Sequence, residues 1–198
     1  NKTTIYISRY KKNKEKKRKK AMGLFTKLKD MFQEKDYITM TQEELFRLDD
    51  AELEIAVSDR LYAKRKAGEP ENSILQDATE TQRIYYVLHR YGMMIGEKKE
   101  HGEYSVEKNR ELIPLLIPAM EKVGAVENKE LLMRFADRYN LYLDDLDIEQ
   151  FHRLKKMKNE NNQSPVEEFE EAYYDLMGES DELDTCLMAY IRQHLEEV

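Results

Sequence analysis

Residues 164–178 read Ser-Pro-Val-Glu-Glu-Phe-Glu-Glu-Ala-Tyr-Tyr-Asp-Leu-Met-Gly, and this stretch decides the fold class. Ser164 and Glu167 have the spacing of a capping box: the serine hydroxyl takes a first-turn amide and the glutamate reaches back to the serine amide. Pro165 falls at the first helical position, where the missing N–H costs nothing and φ is already helical. Val166, Phe169, Tyr173 and Leu176 then recur on one face of a 3.6-residue period, and Gly178 stops it. A strand cannot hold that spacing on one face, because its side chains alternate. The spacing predicts an amphipathic helix, so Glu167, Glu168, Glu170, Glu171 and Asp175 lie on its outward faces.

The same signs recur in both directions. After it, a last helix from about Asp181 buries Leu183, Leu187, Tyr190 and Ile191. Before it, 159–164 reads as a linker. Ile148, Phe151, Leu154 and Met157 mark one helix, and Leu131, Leu132, Phe135, Ala136 and Tyr139 another. Ser105 to Val123 has a helical pattern ended by Gly124, but Pro114 and Pro118 are expected to break or kink it, each removing an amide donor and crowding the preceding turn. From about Thr79 to Glu97, Ile84, Val87, Leu88, Tyr91 and Ile95 form a core stripe. The pattern then breaks into a polar turn over 96–103. A helix from about Asp50 to Ala67 carries Leu53, Ala56, Val57 and Leu61, with Ile55 and Tyr62 on a second face and Gly68 as its stop; 69–73 is a loop. Thr41-Gln-Glu-Glu44 is a second capping box. No segment alternates as a strand would. The expectation is an all-α chain: a basic leader and linker over 1–40, largely disordered, then one domain of seven to eight helices over 41–198.

Composition narrows the class. Hydrophobic residues make up 40% and charged residues 37% of the 198, the balance of a globular chain with a heavily solvated surface. No apolar run approaches the roughly 18 residues needed to span a bilayer. Cys186 stands alone, so it can form neither an internal disulfide nor a thiolate metal site, and a reducing cytoplasm is the expected location.

Charge is divided along the chain. Residues 1–21 hold ten Lys/Arg and one acid, Glu15, whereas 164–198 hold 11 Asp/Glu and one base, Arg192. The only apolar stretch in the leader, Ile5-Tyr6-Ile7, is too short for a signal peptide. Two readings of the leader stand. It is a basic arm for nucleic acid, or it is translated upstream sequence and the protein begins at Met22-Gly23-Leu24-Phe25.

Candidate chemistry is sparse. His101-Gly102-Glu103 has half of a zinc-deaminase signature, but the other half needs two cysteines. Glu149-Gln-Phe-His152 supplies one Glu-x-x-His, and a di-iron bundle requires two plus two further glutamates. His89, His101 and His194 lack the matching Glu. His194 extends the apolar stripe of the last helix and reads as a core-edge histidine, Cys186 as a small core residue. There is no Gly-rich phosphate loop. Catalytic residues, metal ligands and cofactors are therefore not expected, and the chain does not read as an enzyme.

The carboxylates carry the functional reading. Glu179, Asp181, Glu182 and Asp184 continue the array of Glu167, Glu168, Glu170, Glu171 and Asp175 around the turn between the last two helices. Helical i, i+4 side chains stand about 5–6 Å apart, comparable with successive phosphates along a DNA strand. Such an array fits the Lys/Arg groove of a DNA-binding protein.

Several segments also resemble a known family. These are Phe169-Glu170-Glu171-Ala172-Tyr173-Tyr174-Asp175-Leu176, then Leu183 and Leu187, Tyr190-Ile191-Arg192-Gln193-His194, the helix end Ala119 to Ala125, and Arg83-Ile84-Tyr85-Tyr86-Val87. Together, over roughly 80–198, they resemble the bacterial all-helical DNA-mimic protein family. Where that family has an Asn-Gly-Gly turn followed by an aromatic and an Asn, this chain reads Ile95-Gly-Glu-Lys-Lys-Glu-His-Gly-Glu-Tyr104. The resemblance implies a homodimer whose acidic face imitates duplex DNA and titrates a transcription factor.

The leading expectation is a cytoplasmic, non-enzymatic domain that binds a basic protein, with neither membrane nor direct nucleic-acid contact. Alternatives remain open at this level. One is an immunity or regulatory adaptor using an apolar groove walled by the 96–104 turn and the Pro114–Pro118 segment. Another is a nucleic-acid binder through the leader, with Arg153, Lys155, Lys156 and Lys158 as a lesser patch. A third is a domain with a purely structural role.

Overall fold

The computed structural model describes residues 36–96, 106–179 and 181–198, with the side chains of Gly96 and Glu179 excepted. Among these residues there is no strand. Eight α-helices run in chain order: α1 Gln42–Phe46, α2 Asp50–Tyr62, α3 Glu80–Gly96, α4 Ile113–Val123, α5 Val126–Tyr139, α6 Ile148–Lys156, α7 Pro165–Glu179 and α8 Glu182–Gln193. Short 3-10 turns join several of them. Ile38–Val198 forms one compact unit. The fold is all-α. The leader and most of the 96–104 turn lie outside the described residues.

Helix α3 is the axis of the unit, packed against α2, α4, α7 and α8. Its expected stripe is buried, and so are Thr81, Gln82, Tyr85, Tyr86 and Arg90 on its other faces. Burying a guanidinium is costly unless it is paired. Arg90 meets that condition: Nη2 stands 2.5 Å from Glu71 Oε2, and Nε donates to the Tyr86 hydroxyl at 3.2 Å. Glu71 also accepts from the Tyr62 hydroxyl at 3.0 Å, so the segment after α2 is stitched to α3 through one carboxylate.

Both expected capping boxes form. Thr41 and Glu44 close reciprocally at the start of α1. At the start of α7, the Ser164 amide donates to Glu167 Oε2 at 2.7 Å and the Glu167 amide to Ser164 Oγ at 3.2 Å. A third box, Thr79 with Gln82, opens α3: the Gln82 amide donates to Thr79 Oγ1 and the Thr79 amide to Gln82 Oε1, each at 3.2 Å. Its sequence spacing is the same as in the other two.

Several boundaries differ from the sequence reading, and α4 begins only at Ile113, after the 3-10 turn Arg110–Leu112, rather than at Ser105. Helix α2 stops at Tyr62 rather than Ala67. Residues 63–67 carry no large apolar side chain to bury, and Lys64 instead sends its ammonium to Asp77 O at 3.0 Å and Gln82 Oε1 at 2.6 Å. Over the expected loop, Glu71–Gln76 winds into a 3-10 turn that buries Ile74. The prolines do not break α4. Pro114 sits in its first turn, where no amide partner is needed, and the helix runs on through Pro118 to a left-handed Gly124 at φ 81°. Met157 lies just past α6 and is 51% exposed, because the chain turns away at the helix end.

Candidate functional site

Helices α7 and α8 carry the acidic array, and aromatic contacts set the orientation of α7. Phe169 packs on Phe135 of α5 with ring centroids 4.8 Å apart, and Tyr173 meets Tyr91 of α3 edge-on at 5.5 Å. With that face turned inward, the carboxylates fall on the remaining surface. The structure then divides them into two groups.

At the start of α7 the carboxylates are answered by neighbours. Glu167 closes the capping box and takes Lys158 Nζ at 2.7 Å. The Lys158 ammonium, with the Ser164 amide, draws its pKa down to about 2. Glu168 accepts from Asn159 Nδ2 and lies 3.8 Å from Arg138 Nη1. Glu171 accepts from Gln163 Nε2 at 2.7 Å. Glu170 turns toward an internal cavity.

Around the α7–α8 turn the pattern reverses. Asp175, Asp181 and Asp184 are exposed. Asp181 holds the left-handed region at φ 45°, and its side chain makes no cap for α8. Asp184 is pushed up to about 6: its neighbours crowd water away from the carboxyl, and the Asp181 and Glu54 carboxylates act on it in the same sense. His89 works in the opposite direction and stands 3.5 Å from Glu54. Glu54 lies on α2, so the acidic face extends beyond the two C-terminal helices. No local pattern announces Glu54 as part of it, because only the packing around α3 brings residues 54 and 184 together.

Glu182 belongs to neither group. Ala125 precedes α5 and has no side chain that can cap it. Glu182 reaches across from α8 and accepts the amides of Glu127 and Asn128, each at 3.0 Å, and Asn128 Nδ2 at 3.1 Å. Partial burial works against ionisation there, but those donors prevail and hold the carboxyl below its ordinary value. The Glu179 side chain lies outside the described residues.

A cavity of about 340 Å³ opens between α3, α4, α5, α6 and α7. Ile113 and Leu116 form part of its wall, Leu116 lying within the Pro114–Pro118 segment. The other proposed wall, the 96–104 turn, is outside the described residues.

The family comparison falls on these elements. A model of the DMP19-like protein family matches residues 76–194, from just before α3 through the end of α8. The chain belongs to the DMP19-like protein family. No curated protein and no solved structure matches it. The match spans the aromatic contacts and both groups of carboxylates, while α1, α2 and therefore Glu54 precede it.

The remaining candidates of this DMP19-like chain find partners in packing. His152 Nε2 lies 2.6 Å from Glu107 Oε1, and Glu149, the other half of its motif, is exposed. His194 stacks on Tyr190 at 4.2 Å, with Nδ1 at 2.8 Å from the Tyr190 carbonyl. Cys186 lies 3.7 Å from the Gly124 carbonyl, and burial raises its thiol pKa. Among the described residues no three His, Cys, Asp or Glu gather as a metal site, and no helix is long and apolar enough to cross a membrane. His101 and Glu103 lie outside the described residues.

Proposed function

We propose that this chain is a non-enzymatic protein-binding domain that acts as a DNA mimic, offering the carboxylates of α7 and α8 to the Lys/Arg groove of a DNA-binding protein such as a transcription factor. Family membership over residues 76–194 supports the class of function. The observation that carries the reading on this chain is the concentration of negative charge at the α7–α8 turn. Loss of water around Asp184, with the Asp181 and Glu54 carboxylates acting in the same sense, holds its pKa up at about 6. A site of that kind is poised for cations, since a lysine or arginine brought against it removes the repulsion and gains a charge-assisted hydrogen bond.

Like charges so close destabilise the free domain, and a basic partner recovers that energy on binding. Contact of this type is steered by charge and weakens steeply with salt. DNA mimicry also requires that the partner surface be the one that holds DNA.

The test is immobilised full-length chain used as bait for DNA-binding proteins of the host, washed at low and high salt and then eluted with duplex oligonucleotide. Captured protein is expected to leave in high salt and to be displaced by the duplex. Asp175→Lys, Asp181→Lys and Asp184→Lys together are expected to abolish capture. Retention that ignores both salt and duplex DNA would count decisively against mimicry.

A further inference from the structure

The cavity beneath α7 is apolar over most of its wall, with Leu116, Leu132 and Phe169 contributing to it. At about 340 Å³ it falls in the range of small-molecule sites, roughly 300–1,000 Å³. Its polar groups are not balanced. Tyr91 lines it at 2% exposure, and the buried Tyr91 hydroxyl has no hydrogen-bond partner. That hydroxyl is closed off from the open space of the cavity, so it is a buried cost rather than a contact for a guest.

Lys155 stands at the mouth. Its ammonium lies 5.1 Å from the centroid of Phe151 and 3.9 Å from Glu107 Oε1, both groups of the same wall. That separation is an ion pair beyond hydrogen-bond reach, so the ammonium keeps donors for a guest. The same Glu107 oxygen is already held by His152 at 2.6 Å. The open donor capacity of the wall is thus at Lys155, and it is for an acceptor.

We propose that this cavity binds a small monocarboxylate with an apolar body, of the medium-chain alkanoate type, its carboxylate on Lys155 and its chain along the apolar wall. A charge-assisted bond from Lys155 fixes the head, and burial of each methylene adds to the driving force. This site does not depend on the DNA-mimic reading, since it lies inside the bundle and uses none of Asp175, Asp181 and Asp184.

Sodium decanoate titrated into the full chain, followed by calorimetry and amide chemical shifts, tests it, with decan-1-ol and decylamine as matched probes. Saturable binding of one decanoate per chain is expected, tighter than either control. Lys155→Met should lower decanoate affinity about tenfold or more while leaving decan-1-ol unchanged. Leu132→Trp, which fills the cavity, should abolish binding of every probe; should it fail to fold, the half-exposed Lys155→Met still decides. Absence of decanoate binding, equal affinity for the three probes, or a Lys155→Met variant indistinguishable from the parent overturns the proposal.

Discussion

Glu167 and Asp184 are both exposed carboxylates on neighbouring helices, yet one is held at about 2 and the other at about 6. The difference lies in what faces them. Glu167 has Lys158 and the Ser164 amide, so its negative charge is already spent inside the chain. Asp184 has lost water around its carboxyl and has two further carboxylates beside it, so its charge is unwelcome until something cationic arrives. A count of acids along 164–198 treats the two as equal. Local partners make them opposite, and the turn between α7 and α8, rather than the start of α7, is where a basic surface gains most.

Charge reversal should separate the two ends with the largest effect. Asp175→Lys, Asp181→Lys and Asp184→Lys together are expected to weaken a partner identified by duplex-reversible capture by about 100-fold or more near physiological salt. Reversal of Glu167, Glu168 and Glu171 should cost less than about tenfold, because those carboxylates are already answered. Equal losses, measured by calorimetric or surface-binding titration, would erase the distinction between the two ends.

Glu182 sharpens the comparison from the side of stability. Its carboxylate satisfies two amides at the open end of α5 and the Asn128 side chain. Glu182→Ala leaves these donors without an acceptor and should destabilise the domain by about 2 kcal/mol in urea denaturation, while changing partner affinity little once folded protein is compared. A pronounced loss of binding in the folded variant would move Glu182 onto the docking face.

How far the sequence could reach is visible in the same residues. The stripes of α3, α5, α7 and α8 were legible because burial imposes a 3.6-residue period, and Thr41 and Ser164 because capping is local chemistry. The early end of α2 was not, since Lys64 is drawn away by Asp77 and Gln82, more than ten positions on. The continuation of α4 through Pro118 was not legible either, since that proline removes a single amide donor and the helix runs on to Val123. For the candidate site, outward placement of the acids on α7 followed from its buried stripe. Their division into answered and unanswered groups did not, because Glu54, Arg138 and Lys158 arrive from other segments. Glu182 could not be recognised as a cap, its partners lying more than fifty residues earlier.

Asp184→Asn should act in the opposite sense to Glu182→Ala. A carboxyl whose folded pKa is about 6 against an ordinary 3.8 ionises later in the folded chain than in the unfolded one. Stability therefore falls as pH rises from about 4 to about 6 and stays lower above that range. The amide removes the penalty, so the variant should be more stable at pH 7, with the gain vanishing below about pH 4. Solvent screens this exposed side chain, and the N-terminus of α8 favours a negative charge there, which together limit the gain to about 1 kcal/mol. Thermal melts across pH 3 to 8 measure it. A variant that tracks the parent at every pH would mean that neither the loss of water around Asp184 nor the neighbouring carboxylates disfavour its charge.

The smallest effect is expected at the other end of α7. Glu167 has a lowered pKa, so what it contributes is present above the ordinary carboxylate range and is lost as pH falls toward about 2. Glu167→Gln keeps an oxygen for the Ser164 amide and loses only the charge toward Lys158, an exposed pair with side chains 50% and 43% accessible. Such pairs contribute less than about 1 kcal/mol, and the variant should lose no more than that at pH 7. Glu167→Gln with Lys158→Met should be no less stable than Glu167→Gln alone, since the interaction is already gone. The charge at this end is consumed by the fold, which is why removing it should be felt in the melt and hardly at all by a basic partner.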